Sequence, residues 1–152
     1  MHSISRVKLM EPTSNWRAAV VVVRGTSLAG GPTQPVLTRA TAFDFAGGGG
    51  QRTWIGTVSL APDARTGAHH HGRHEVAVYV ASGRSEIRWG ESLEFAAEVG
   101  QGDFVYFAPY VPHEERNLDS RQTVNFVVVR SDNERISVPL ALAAVALPET
   151  TR

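Results

Sequence analysis

The sequence contains no cysteine, so it has neither a disulfide nor a thiolate ligand, and any bound metal must be held by histidine, carboxylate or water. It also lacks an excess of charge, since 15 basic residues balance 15 acidic residues to a formal net charge of zero. A nucleic-acid-binding domain usually carries a basic patch or a high isoelectric point. The balance therefore argues against a nucleic-acid partner.

Long apolar runs are absent as well. Residues 1–16 lack the apolar run of about 7 to 15 residues that a signal peptide contains, and no stretch of about 20 apolar residues is present to cross a bilayer. We therefore expect a cytoplasmic protein with no membrane partner.

The length of 152 residues fits one domain, and 42% hydrophobic residues are enough to build an apolar core. Most periodic segments are short, rich in β-branched and aromatic residues, and bounded by Gly, Pro, Asp or Asn, which is typical of strands. Such strands without intervening helical patterns indicate an all-β sandwich or barrel. The predicted strands are residues 18–23, 36–45, 52–60, 75–81, 85–89, 93–99, 103–108, 123–129 and 136–140. Residues 139–147 fit either a helical turn or an edge strand.

The densest chemical signal is residues 69–75, which contain four histidines and one glutamate. In an extended chain, residues two apart share a face, so His69 and His71 can direct two imidazoles to one point. Glu75 can reach the same point across the next turn. Imidazole and carboxylate together suit Fe, Mn, Co, Ni, Cu or Zn better than Mg or Ca. The alternative is a polar surface loop, or a packed histidine with no ligand role.

A further histidine, His113, follows a glycine turn, a strand and a proline-framed bend. Pro112 fixes its own φ and biases Val111 towards extended geometry, so the backbone that presents His113 is stiff. We predict that His113 joins His69 and His71 as a ligand. The alternative is a turn that happens to contain a histidine.

Together these segments resemble the cupin family. Its first motif runs glycine, five residues, His-x-His, three or four residues, glutamate, six residues and glycine. His69, His71 and Glu75 match it, although one residue separates Gly67 from His69, and Gly83 lies one position late. A bulge beside Glu75 would absorb the extra residue. Alternatively, His74 or water replaces the carboxylate.

The second cupin motif runs glycine, five residues, proline, one residue, glycine, two residues, histidine, three residues and asparagine. Gly102, His113 and Asn117 match it, whereas Ala108 stands at the proline position and Tyr110 at the glycine position. These two departures suggest a differently shaped bend before His113.

The resemblance implies a double-stranded β-helix, a jelly-roll barrel with one divalent transition-metal ion near its mouth. The barrel would comprise residues 51–140, preceded by an N-terminal arm and edge strands at 1–50 and followed by a tail at 141–152. It also implies a homodimer, because such edge strands pair between subunits. The implied metal ligands are His69, His71, Glu75 and His113.

An open metal site and the lack of a nucleophile signature indicate chemistry carried out by the metal on a small molecule. Tyr106 and Glu114 are the candidate catalytic proton donors near His113, with Tyr110, although Glu114 and Glu115 also fit solvated surface charges. Aromatic candidates for the pocket lining are Trp54, Tyr79, Trp89, Phe104, Tyr106 and Phe126.

Three functions are consistent with such a site. The first is a metal-dependent, dioxygenase-like enzyme acting on a small oxygen-rich molecule, and it is the one we favour. The second is a metal-assisted isomerase, epimerase or lyase of a sugar or carboxylic acid. The third is a non-catalytic protein that binds a small ligand.

Overall fold

The computed structural model describes residues 20–34, 36–44, 52–132 and 136–151. Within these ranges the chain contains twelve strands and one short 3-10 helix, Gly25–Ser27. The strands are β1 (Ala29–Gln34), β2 (Leu37–Phe43), β3 (Trp54–Leu60), β4 (His69–His70), β5 (Val76–Ser82), β6 (Arg84–Trp89), β7 (Phe95–Gly100), β8 (Phe104–Phe107), β9 (His113–Asn117), β10 (Val124–Arg130), β11 (Val138–Pro139) and β12 (Glu149–Thr150). A membrane-crossing helix is absent from the described ranges, where no helix is both long and apolar enough.

The strands form two six-stranded sheets, in the orders β1-β2-β3-β10-β5-β8 and β11-β4-β9-β6-β7-β12. From β3 to β11 the chain changes sheet at every connection except the β6–β7 hairpin. Almost all pairs are antiparallel, and β12 pairs with β7 in parallel. This alternation between two facing sheets is the topology of a double-stranded β-helix, so the predicted all-β jelly-roll fold is confirmed.

The core lies between the two sheets because the inward positions of the central strands are apolar. Along β10, the residues from Val124 to Arg130 alternate between buried and half-buried, as a strand with one inward face should. Along β5, Val76, Val78 and Val80 are buried. The second sheet adds Ile87 to the same buried cluster.

Eight of the nine predicted strands coincide with observed strands to within two residues at each end. The prediction at 136–140 shortens to the two residues of β11. The prediction at 18–23 falls partly outside the described residues, and residues 20–23 are not in a strand. The sequence pattern missed β1, β4, β9 and β12.

Strands β1 and β2 of the predicted N-terminal arm belong to the first sheet. Strand β2 pairs with β3 through Leu37↔Leu60 and the residues that follow, and Leu37 is buried in the core. Strand β1 then pairs with β2 at the edge of the sheet. Residues 1–19 lie outside the described ranges, and the predicted domain limits stay a prediction.

The C-terminal segment spans the second sheet from edge to edge. Strand β11 pairs with β4 through Val138↔His70 and Pro139↔His69, whereas β12 pairs with β7 at the opposite edge. Of residues 139–147, which fitted either a helical turn or an edge strand, Pro139 alone lies in a strand, and residues 140–147 form neither element. This course brings Ile136 beside His71, which directly follows β4.

Asn117 ties the two sheets together at the end of β9. Its buried side-chain amide donates to the carbonyl oxygens of Leu60, Ala61 and Gln122, and its Oδ1 accepts a hydrogen bond from the backbone N–H of Asp119. Four backbone groups from three segments therefore depend on one side chain.

We expect Asn117→Ala to lower the free energy of unfolding by roughly 2–4 kcal/mol, because it leaves several polar groups of the backbone unsatisfied. Urea denaturation measures this loss. Gln101→Ala, at an exposed turn position, is the control and should change stability by less than about 0.5 kcal/mol. A similar small change at Asn117 would show that these hydrogen bonds contribute little.

Candidate metal centre

Three histidines converge inside the barrel because β4 and β9 pair side by side. His69 lies opposite His113 in the register of these strands, and His71 follows directly after β4. The ring centroids of His69 and His113 are 4.3 Å apart. The ring centroid of His71 lies 4.9 Å from that of His69 and 5.0 Å from that of His113. One nitrogen from each imidazole lies within 4.8 Å of the others. The structure thus brings together His69, His71 and His113.

Each of the three imidazoles is oriented by a backbone carbonyl. Nδ1 of His69 lies 2.9 Å from the carbonyl oxygen of Gly67, and Nδ1 of His71 lies 2.9 Å from that of Ile136. Nδ1 of His113 lies 3.0 Å from the carbonyl oxygen of Val111. A carbonyl oxygen only accepts, so Nδ1 carries the proton in all three rings, and Nε2 presents a lone pair. This arrangement is the usual support of metal-binding histidines.

The neighbouring His70 provides a contrast within the same segment. Its Nδ1 accepts a hydrogen bond from the backbone N–H of Gly72, so this ring holds the opposite tautomer. Its ring lies 5.8 Å from that of Tyr110. His74, the alternative ligand to Glu75, is buried but is not one of the three histidines that converge.

Burial favours the neutral form of two of the converging imidazoles, those of His71 and His113. For His71, burial is the largest effect and the positive charge of Arg130 adds to it, so its pKa falls from 6.5 to about 3. Burial also lowers the pKa of His113, against the opposing effect of the Glu115 carboxylate. Neutral imidazoles are the form that binds metals. The ring of Phe107 stacks on His113 at 4.0 Å and fixes its plane.

The carboxylate beside these histidines is Glu115. Its oxygens lie 3.8 Å from Nε2 of His69 and 3.7 Å from Nε2 of His113. The hydroxyl of Thr66 lies 2.9 Å from one of them and holds the side chain in place. Burial would raise the pKa of Glu115, but the positive charge that the three histidines carry when protonated and the hydrogen bond from Thr66 outweigh it and hold this pKa below its ordinary value. Glu115 is thus a charged carboxylate at neutral pH.

The structure does not bring Glu75 to the histidines. Val76 and Val78 face the core on β5, so Glu75, one position earlier, faces solvent. Its carboxylate accepts a hydrogen bond of 2.8 Å from the hydroxyl of Tyr106. This hydrogen bond is the largest cause that raises the pKa of Tyr106.

The two candidate proton donors also lie away from the histidines. Tyr106 is 61% exposed on β8 and contacts Glu75. Glu114 is buried, but it alternates with His113 and Glu115 along β9 and faces the other side of the sheet, where it pairs with Arg116. Neither side chain lines the cavity beside these histidines, whose lining includes His69 and His71.

That cavity has a volume of about 260 Å³ and is bounded by both sheets. One wall carries His69, His71, Thr66 and Glu115. The other wall is mostly apolar and belongs to the first sheet; its residues are Leu37, Val58, Val76, Val78, Phe126 and Val128, with Arg39 and Arg130 among them.

Of the six predicted aromatic residues, Phe126 alone lies on the described walls. Trp54 is buried, Trp89 packs against the core, and Tyr79, Phe104 and Tyr106 are exposed.

The bend before His113 is held by two positions with positive φ. Tyr110 has a φ of 61°, the left-handed conformation that glycine adopts most easily, at the position where the resemblance expects glycine. Its N–H donates to the carbonyl of Gly72, which has a φ of 58°. A Cβ on Gly72 would lie 3.1 Å from Ile136. Tyrosine therefore adopts the backbone conformation that the motif reserves for glycine.

Comparison with known proteins gives a consistent result for the fold. The family model of the cupin domain matches residues 56–130, which include all of the converging histidines. No curated protein matches the chain.

Several solved structures share the architecture. The polyketide cyclase RemF from Streptomyces resistomycificus is 23% identical, with 81% of this chain and 87% of that chain covered and a TM-score of 0.67. An RmlC-like cupin from Shewanella frigidimarina is 16% identical, with 74% and 90% covered and a TM-score of 0.59. Oxalate decarboxylase from Bacillus subtilis is 19% identical, with 76% of this chain but 30% of that chain covered and a TM-score of 0.62. At these identities, the likeness establishes the fold alone.

Proposed function

This chain belongs to the cupin superfamily, and we propose that it is a metal-dependent, dioxygenase-like enzyme acting on a small oxygen-rich molecule. In this proposal, His69, His71 and His113 hold one divalent transition-metal ion through their Nε2 atoms. The observation that carries the proposal is the set of three Nδ1–carbonyl hydrogen bonds, which leave three lone pairs directed at one place.

The polar atoms of this site fit a bound metal ion. Nε2 of His113 is fully buried, and among the described residues it has no hydrogen-bond partner. Leaving such an atom unsatisfied costs about 1–3 kcal/mol, so its burial calls for a ligand. Glu115 adds a negative charge beside two of the three nitrogens. Imidazole and carboxylate together suit Fe, Mn, Co, Ni, Cu or Zn.

The protein's own residues would orient the ion and the substrate. When bound, the ion supplies Lewis-acid polarisation of an oxygen-donor substrate and, if it is redox-active, electron transfer. The backbone carbonyls hold the imidazoles in one tautomer, and Thr66 holds Glu115. The apolar wall formed by Val58, Phe126 and Val128 provides a surface for the carbon skeleton of the substrate.

Elemental analysis of untagged protein, before and after chelation, tests the metal site. We expect about one equivalent of a transition metal per chain, lost on chelation and restored on reconstitution. No metal after reconstitution would contradict the proposal and favour a protein that binds a small ligand without a metal.

Oxygen uptake separates the two enzymatic alternatives. The dioxygenase-like proposal predicts that a turned-over substrate consumes oxygen in step with product formation, measured with an oxygen electrode. Full turnover under anaerobic conditions would favour a metal-assisted isomerase, epimerase or lyase instead. The homodimer stays a prediction, which size-exclusion chromatography with light scattering would check.

A further inference from the structure

The outer face of the first sheet carries exposed aromatic side chains. On the edge strand β8, Phe104 is 78% exposed and Tyr106 is 61% exposed. On β5, the ring of Tyr79 lies 4.9 Å from that of Phe104. Tyr106 is two residues from Phe104 and therefore shares its face, so the three rings are contiguous. Single exposed apolar residues are normal on a protein surface, whereas contiguous apolar patches mark interaction sites.

The strand register extends this patch across the sheet in two rows. Buried residues alternate with outward residues along β3, β5 and β10, and outward residues that lie opposite each other form rows. The first row consists of Ala40, Thr57, Val127, Tyr79 and Phe104. The second row consists of Ile55, Val129, Ala77 and Tyr106. We call these nine residues the neutral face, because none of them carries a charge.

The polar side chains that border the neutral face bond to one another. On one side, the hydroxyl of Ser59 lies 2.7 Å from Oδ1 of Asn125, and the side-chain amide of Asn125 donates a hydrogen bond of 2.9 Å to the hydroxyl of Ser82. On the other side, Glu75 accepts the hydrogen bond from Tyr106. These groups keep their partners when the face is covered, so covering it leaves few polar groups unsatisfied.

The second sheet has the opposite kind of outer face. Its outward positions on β6, β7 and β9 carry charged side chains in three ion pairs: Arg84 with Glu98, Arg88 with Glu86, and Arg116 with Glu114. The cores of protein interfaces are depleted of charged residues and enriched in tyrosine and phenylalanine. The first sheet therefore has the outer composition of an interface, and the second sheet has that of a solvated surface.

We propose that the neutral face binds a second copy of this chain, face to face across a two-fold axis. Such an interface brings the same patch of both copies together, so a patch with an excess of one charge would repel itself. An uncharged patch avoids this repulsion. A nucleic acid or an anionic membrane would instead require lysine or arginine, which the neutral face lacks.

The size of the sheet matches what such an interface requires. Strands β2, β3, β5 and β10 are each seven residues long, and β8 adjoins them at the edge. At about 3.3 Å per residue and about 4.8 Å between strands, these five strands present roughly 500 Å². Two copies would bury about 1,000 Å², the least expected of a specific interface. This interface uses side chains on a face, whereas the family resemblance implies pairing between strand edges.

Sedimentation velocity over a concentration series of the full chain tests the proposal. We expect the wild type to reach twice the mass of one chain. Phe104→Lys should weaken self-association by at least about 100-fold, because a two-fold interface loses the aromatic contact twice. Leu147→Lys is the matched control, since Leu147 is 91% exposed and lies between β11 and β12, away from the neutral face. It should associate like the wild type, and thermal melts check that both variants fold.

A single introduced thiol locates the interface without disturbing the aromatic side chains. The chain has no cysteine, so Ala77→Cys supplies the one thiol of the protein at an exposed position inside the neutral face. Its reaction with a maleimide should slow as the protein concentration rises and should become fast when Phe104→Lys is added. Gln101→Cys, at an exposed turn position, should react at the same rate at every concentration.

Three outcomes would overturn the proposal. One is a chain that stays monomeric at every concentration with a reactive thiol at position 77. Another is a dimer that Phe104→Lys leaves intact and in which this thiol stays reactive, which would favour pairing between strand edges. The last is a thiol that is protected equally at every concentration, which would show that another part of the same chain covers the face.

Discussion

Replacing His71 or His113 with alanine should abolish stoichiometric metal binding while the barrel stays folded. Each substitution removes one of three convergent nitrogens. Loss of a supporting residue alone typically costs about 10–100-fold in metal affinity, so loss of a ligand should exceed about 100-fold. The core cluster is formed by other residues, including Leu60, Val80 and Val124. Elemental analysis after reconstitution measures the metal, and circular dichroism with thermal melts measures the fold.

His70→Ala is the matched control for these two variants. His70 lies between His69 and His71, and its Nδ1 accepts a hydrogen bond from the chain instead of donating one. Metal content should therefore remain at the wild-type level. Full occupancy in His71→Ala and His113→Ala, or equal loss in His70→Ala, would contradict the assignment of the site to the three convergent histidines.

The place of the three histidines could be predicted in part from the sequence. Because His69 and His71 are two residues apart, their side chains should point to the same face of an extended chain. Their contact with His113 depends on the pairing of β4 with β9 across 44 positions, which no local pattern specifies. The prediction of His113 rests on the stiff, proline-framed bend before it and on its resemblance to a motif, because that motif records which distant segments meet in the fold.

The strands predicted well are those whose side chains suit a half-buried pleated surface. Strands β5 and β10 are rich in valine and alternate in burial, so their pattern is visible in the sequence. Strand β9 has the sequence His-Glu-Glu-Arg-Asn, which lacks β-branched and aromatic residues. It is a strand because β6 pairs along its whole length, from Ser85↔Asn117 to Trp89↔His113. Tertiary pairing therefore overrides a weak local preference.

Motif spacing predicts Glu75 as the carboxylate ligand, whereas strand alternation favours Glu115. The inward positions Val76 and Val78 imply that Glu75 faces outward, and this rule was available from the sequence. Applied to β9, the same rule places Glu115 on the face of His113, two residues earlier, and places Glu114 on the opposite face. Alternation was the signal that could have identified Glu115.

Arg130 and Glu115 have opposite electrostatic effects on the converging histidines. Glu115 lies beside two of the converging nitrogens and favours a cation there. Arg130 lies beside His71 and disfavours a cation at the same place, as the lowered pKa of His71 indicates. Arg130 and Glu115 therefore act on the converging histidines in opposite directions.

Glu115→Gln should weaken metal binding by about 10–100-fold, whereas Glu75→Gln should change it by less than about twofold. The Glu115 carboxylate lies within 4 Å of Nε2 of both His69 and His113, so its charge acts directly on an ion held there. Glutamine keeps the size of the side chain and removes only the charge. Glu75 is exposed on the outer face of the barrel and bonded to Tyr106, where solvent screens its charge.

Titration against a competing chelator, with the same metal for both variants, measures this difference. The metal-free forms should melt near the wild-type temperature, so the comparison reports on the site and not on the fold. A large loss in Glu75→Gln with none in Glu115→Gln would return the ligand role to Glu75. Glu75 faces outward, as the alternation along β5 predicts. That result would therefore require the segment between β4 and β5 to rearrange when the metal binds.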